Sequence, residues 1–187
     1  MTLVGHTLTG AAVGVAVLPK RAGWVHKILH QVVFMLLANL PDLPLVNWGH
    51  DKYFYSHSVF VNILFIIIGI LFLTYSKNVC TKIGGWPTLA GGAIAWLSHL
   101  LLDSFYNHGK GVMIYWPLST GRLILPIPWL APVATVLPPY SPKTIQVFMI
   151  EFLTFAPFLL IAILIRIFDL DKKVAGLVAS RIHLKKS

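Results

Sequence analysis

Five long apolar runs, each broken by proline, glycine or charge, set the pattern of this chain. The first, Leu3–Leu18, ends at Pro19. The second, Trp24–Leu40, stops at Pro41, since the residue before a proline is driven out of the helical region. The third, Ser58–Tyr75, has Ser56 ahead of it as an N-cap. The fourth, Trp86–Phe105, tolerates Pro87 in its first turn. The fifth, Thr144–Phe168, contains Pro157, which predicts a kink. A membrane helix needs roughly 17–25 residues, and the first run is the shortest of the five. The pattern therefore predicts an all-α, polytopic helical membrane protein with about five membrane helices in a single domain, 1–187. The segment 106–143 is too apolar for a solvated loop and too rich in proline for a long helix. It is expected to lie as a cover at the membrane interface, a depth that suits Trp116, Trp129 and Tyr140. Residues 169–187 form a basic tail.

Composition sharpens this picture. The chain has 187 residues, 57% hydrophobic and only 11% charged, against about 25% charged in an average soluble domain. Its mean hydropathy is +0.77. A net charge of +9 would suit nucleic acid, but the cations cluster between apolar runs as topology signals do, so no nucleic-acid partner is expected. Eleven of the 15 Lys and Arg fall on one side of the predicted bundle. They include Lys20, Arg21, Lys27, Lys77, Lys82 and Arg166. That side is expected to face the cytoplasm, with the N-terminus outside and the C-terminus inside an inner or plasma membrane. Cys80, the single cysteine, excludes an internal disulfide and any cysteine-based zinc site. The N-terminus lacks a basic n-region, so no cleavable signal peptide is expected. Nothing points to an obligate protein partner.

Chemistry concentrates around AWLSHLLLD, residues 95–103. His99 and Asp103 are four apart and share a helix face. An ionisable group at such an apolar place is a functional hypothesis by default. His6, Asp42, His57, His99, Asp103 and His108 all map to the outer side, drawn from four helices and their loops. Neutral imidazole and carboxylate suit zinc, or manganese. His99, Asp103, Asp42 and His57 make a four-ligand shell. His6, with Asp103 bridging and His108, makes a second, so one or two ions are expected. Two ions about 3.5–4 Å apart clamp an in-line displacement at phosphorus. His26, His30 and His183 fall on the cytoplasmic side and read as interfacial or solvated; His50 and Asp51, in an outer loop, read as exposed or as lying behind the ligands. His6, Gly10 and Gly14 form one stripe and Gly91, Ala95, His99 and Asp103 another. The stripes are expected to pack antiparallel, with His6 level with Asp103. Glu151, about 10 Å into the fifth helix at 1.5 Å per residue, calls for a partner: a metal, a histidine N–H behind the ligands, or a neighbouring helix. Arg122, in the cover, is a candidate phosphate contact.

The ordered set GH, PD, YSHS and SHLLLD resembles the bacterial and archaeal membrane-bound metal-dependent hydrolases, the group of LexA-regulated inner-membrane hydrolases. The resemblance runs from Gly5-His6 through Pro41-Asp42, His57-Ser58 and Ser98-His99…Asp103 to Trp116-Pro117. That family is distantly similar to zinc-dependent phospholipase C and the S1/P1 nucleases. The resemblance implies that Asp42, His57, His99 and Asp103 hold one zinc and that His6 joins Asp103 on another. It also makes Asp42 a candidate general base. The chain departs from the pattern at Pro44, where the family has a second acid, and at Tyr106, where a small polar residue is usual. Val147 stands four residues before Glu151, so the third zinc site of the soluble phospholipases is not expected. The combined reading is metal-assisted hydrolysis of a phosphoester in a membrane lipid or lipid-linked substrate at the extracytoplasmic face. The alternatives are a non-catalytic protein stapled by metal and a metal or proton transporter.

Overall fold

The computed structural model describes residues 3–19, 22–43, 46, 48, 53–75, 77–105, 111–125 and 142–168. His108, His50, Asp51, Trp129, Tyr140, His183 and the basic tail lie outside the described residues. Among the described residues seven α-helices follow in order: α1 (Leu3–Val17), α2 (Trp24–Asn39), α3 (Tyr53–Ser56), α4 (Val59–Tyr75), α5 (Lys77–Lys82), α6 (Trp86–Phe105) and α7 (Pro142–Ile167). A 3-10 turn, Leu40–Asp42, extends α2 with Pro41 near its start. The described residues contain no strand, only an isolated antiparallel bridge between Val112 and Leu123.

α1 is the axis of the bundle and packs on α2, α6 and α7. Its glycines decide how closely. A Cβ on Gly10 would stand 2.5 Å from the Phe34 carbonyl oxygen and 2.7 Å from the Ala38 Cβ, and one on Gly14 would meet Gln31 and Phe34. The glycine stripe of α1 therefore seats α2, not α6 as the sequence pattern suggests. On α6 it is Gly91 that admits α1, through the Val17 side chain. His6 does lie level with Asp103, so α1 and α6 run antiparallel.

Both ends of α1 expose backbone groups that the helix cannot satisfy itself. Glu151 of α7 accepts the Gly5 N–H at 2.9 Å. At the other end His30 Nε2 donates to the Gly14 carbonyl at 3.1 Å, and Arg166 to the Val15 carbonyl at 3.3 Å. α7 thus runs parallel to α1, placing a carboxylate at its positive end and a cation at its negative end.

α4 begins one residue later than the apolar run. Ser58, not Ser56, caps it: its Oγ accepts the Val61 N–H at 3.4 Å, and its hydroxyl also donates to the Trp116 carbonyl. The described part of 106–143, residues 111–125, turns back on itself and is pinned to two helices. Ile114 accepts the Val59 N–H at 2.8 Å, and Leu125 donates to the Ser104 carbonyl at 2.7 Å.

Among the described residues one helix is long and apolar enough to cross a membrane: 24 residues of α7, Thr144–Ile167, with mean hydropathy 2.5. α1 and α4 are apolar but shorter. Leu29, Val33, Leu71, Phe72, Leu153 and Ile161 stand exposed on α2, α4 and α7. An apolar exterior of this extent marks an interaction surface or a membrane.

Candidate metal centre

Four elements deliver donors to one end of the bundle. His6 sits in the first turns of α1, Asp42 closes the 3-10 turn after α2, His57 precedes α4, and His99 and Asp103 lie in the last two turns of α6. His6, His57, His99 and Asp103 are buried. The Asp42 side chain keeps 24% of its surface exposed, so it forms the open edge.

The donor spacing is that of a coordination shell. His57 Nε2 lies 3.1 Å from Asp103 Oδ2 and 3.4 Å from Asp42 Oδ1. His99 Nε2 lies 3.5 and 3.6 Å from the same two oxygens, and the two imidazole nitrogens are 3.2 Å apart. Ligands held tetrahedrally at zinc's usual 2.0–2.1 Å are about 3.3 Å from one another. His6 adds a fifth donor. Its Nε2 is 3.1 Å from the other Asp103 oxygen, Oδ1, and its ring stacks on His99 with centroids 3.8 Å apart. Donor atoms of His6, Asp42, His99 and Asp103 all fall within 4.8 Å of one another.

Protons alone satisfy this set poorly. The Ala38 carbonyl can only accept, so at 2.8 Å it fixes the proton of His99 on Nδ1. In its neutral form that tautomer aims a lone pair from Nε2 at two carboxylates and a second imidazole, as a metal ligand would. Asp42 Oδ1 and His6 Nδ1 are buried without a hydrogen-bond partner. Two carboxylates confined here carry charge that burial penalises unless a cation balances it. A divalent metal fits on all three counts. The outer nitrogens of His99 and His57 are held by the Ala38 carbonyl and, at 2.7 Å, by the Ser56 hydroxyl, as metal-ligating histidines usually are. Burial lowers the basicity of His57, which favours the neutral, ligating form. Burial alone would raise the Asp42 carboxyl, but in the metal-free protein a protonated His99 donating to it outweighs burial and holds the group below its usual value.

Two candidates have other partners. Glu151 is buried and takes the Gly5 backbone N–H, one residue before His6, so it supports His6 through the helix terminus. Arg122 is exposed and donates to the Gly111 carbonyl at 3.2 Å, which ties the cover segment to itself. Sequence reasoning missed the residues behind the ligands. Ala38 acts through its carbonyl, which no side-chain pattern signals. Ser56 was visible in YSHS and was assigned to a helix cap. Asn62 bonds both the Ser56 and Ser58 carbonyls at 2.7 Å and accepts from the Trp96 indole, clamping the turn that carries His57.

A family model described as YdjM inner membrane protein matches residues 1–171. No curated protein and no solved structure matches the chain. The matched span takes in every donor described above and all seven helices. The chain therefore belongs to the YdjM inner membrane protein family.

Proposed function

We propose that this protein is a membrane-bound, metal-dependent hydrolase acting on a phosphoester of a lipid or lipid-linked substrate at the extracytoplasmic face. The observation that carries the reading is the set of Asp42, His57, His99 and Asp103, whose donors lie 3.1–3.6 Å apart and which, among the described residues, opens at Asp42. In this reading α1, α2, α4, α6 and α7 all cross the bilayer. Their alternating directions and exposed apolar faces support that, as does the family. The excess of Lys and Arg at the opposite end supports an outward-facing site.

Zinc or manganese at this position supplies a Lewis acid and lowers the pKa of a bound water. The chain's own residues do the rest. His57 and His99 present neutral nitrogens in fixed orientations. Asp103 offers one oxygen to that pair and the other to His6, so it can serve two ions. Asp42, partly exposed, can orient an attacking water and take its proton. His6, His57 and His99 are buried, so among the described ligands Asp42 is the one a substrate can reach. A site at one end of the bundle differs from the midplane site of a transporter.

One observation favours a structural staple instead: four protein ligands already complete a tetrahedral shell, as structural zinc sites do. The test is to offer phospholipids, lipid pyrophosphates and generic phosphodiesters to the zinc- or manganese-loaded protein in detergent. Asp42→Ala should cut turnover by orders of magnitude, since positioning and electrostatics supply most of such a rate. Equal cleavage by wild type and Asp42→Ala would refute the hydrolase reading.

A further inference from the structure

The reading above leaves the lipid's hydrocarbon without a place, and a second feature of the fold supplies one. α4 packs on α6 and α5 but forms no close-packed seam with α2. The three helices α2, α4 and α6 therefore enclose a groove of about 450 Å³. Its walls are Leu29, Val33 and Leu37 on one side and Ile66, Ile70 and Leu73 on the other, with α6 between them. Leu29 to Leu37 spans about 12 Å of helix at 1.5 Å per residue. Gly69 lines the groove, and a Cβ added there would meet nothing within 4 Å. The space is therefore real and continuous past that point.

The groove ends beside the metal centre. Leu37 immediately precedes Ala38, whose carbonyl holds His99. Trp96, also in the lining, is three residues before His99. Trp48, from the chain that follows Asp42, lies edge-on against Phe65 of the lining at 5.6 Å and donates its indole N–H to the Leu40 carbonyl. An apolar channel with a carboxylate- and imidazole-rich centre at one end has the polarity of an amphiphile.

We infer that this groove seats one hydrocarbon chain of the lipid phosphoester, so that its phosphate is presented at the Asp42 edge. The inference rests on the hydrolase reading for its substrate class. The position of the chain is nonetheless testable without turnover. The full-length protein is reconstituted in phosphatidylcholine vesicles containing a phosphatidylglycerol with a photoactivatable group at the end of one acyl chain. After illumination, labelled peptides are mapped. Labelling of 29–37 and 65–73 should exceed that of the exposed face of α7 several-fold. It should fall to the α7 level in Gly69→Phe, which fills the groove, while metal content stays at the wild-type level. Gly69→Leu serves should the larger side chain disturb folding. Uniform labelling of groove and α7, or labelling indifferent to both substitutions, overturns the inference. So does a stable dimer that dissociates in Gly69→Phe, because the groove would then belong to a second copy. Groove labelling that disappears on filling supports the inference even in Asp42→Ala, where hydrolysis is absent. The seat and the reaction therefore fail separately.

Discussion

Gly10→Ala couples helix packing to metal binding. The new methyl would sit 2.5 Å from the Phe34 carbonyl oxygen, where ordinary contact begins at 3.4 Å, and 2.7 Å from the Ala38 Cβ. A backbone carbonyl cannot swing aside as a side-chain end can, so α1 and α2 must part by most of an ångström. Two effects oppose each other. Alanine is favoured over glycine inside a helix by about 1 kcal/mol, and overpacking a tight seam costs about 1–3 kcal/mol. The second should win here, because Ala38 and Phe34 lie on the same helical face and both resist. Ala38 also holds His99 through its carbonyl. Displacing it should weaken metal affinity about 10–100-fold, the usual cost of losing a group that orients a ligand. The assay is a chelator-competition titration of the purified protein in detergent, beside thermal unfolding of the metal-free form. Gly69→Ala is the control, since its methyl meets nothing within 4 Å and gains helix propensity without a clash. Wild-type metal affinity in a Gly10→Ala protein that unfolds at a lower temperature would refute the link between the α1–α2 seam and the site.

Three further outcomes follow from the same geometry. His99→Ala should abolish tight metal binding and Asp103→Asn should lower total occupancy, by elemental analysis of the purified protein; full metal in His99→Ala would sink the site. His30→Ala should leave metal content unchanged yet cost about 1–3 kcal/mol of stability, because the buried Gly14 carbonyl loses its donor; thermal unfolding reads it, and lost metal would show the two ends of α1 to be coupled. Glu151→Ala, which strips the Gly5 N–H of its acceptor, should destabilise by a similar amount, and Glu151→Gln by less because the amide oxygen still accepts; equal loss in both would point to the charge and not the hydrogen bond.

The helices were legible because their boundaries are chemical. α6 occupies the apolar run Trp86–Phe105 end to end, and α1, α2 and α7 end within a residue or two of proline or polar positions. What escaped was short: α3, α5 and the 3-10 turn at Asp42 are shorter than any periodicity can register. The pairing of helices was legible only in part. A glycine stripe announces a close approach but does not name the partner, and Gly10 and Gly14 face α2 because Phe34 and Ala38 present backbone and a small side chain to them. The five candidate spans illustrate a different limit. Length and hydropathy single out α7. α1 and α4 are apolar but shorter, so for them it is length and not composition that falls short of the expectation.

The centre was legible for a topological reason. If helices alternate in direction, side chains near the end of one run and near the start of the next share a bundle end, and His6, Asp42, His57, His99 and Asp103 follow that rule without any local motif. The same rule has an energetic consequence. No two neighbouring donors, except His99 and Asp103, share an element. The shell therefore does not exist in any isolated helix, and assembling it requires α1, α2, α4 and α6 to dock together. Two of the donors carry liabilities in an apolar bundle: His6 Nδ1 and Asp42 Oδ1 are buried without a hydrogen-bond partner. A cation converts those liabilities into contacts that hold three helix ends and a turn together. Metal binding and the final docking of the bundle are then parts of one equilibrium. The partly exposed Asp42, on a turn and not on an α-helix, is the member that can change its contacts without undoing the rest.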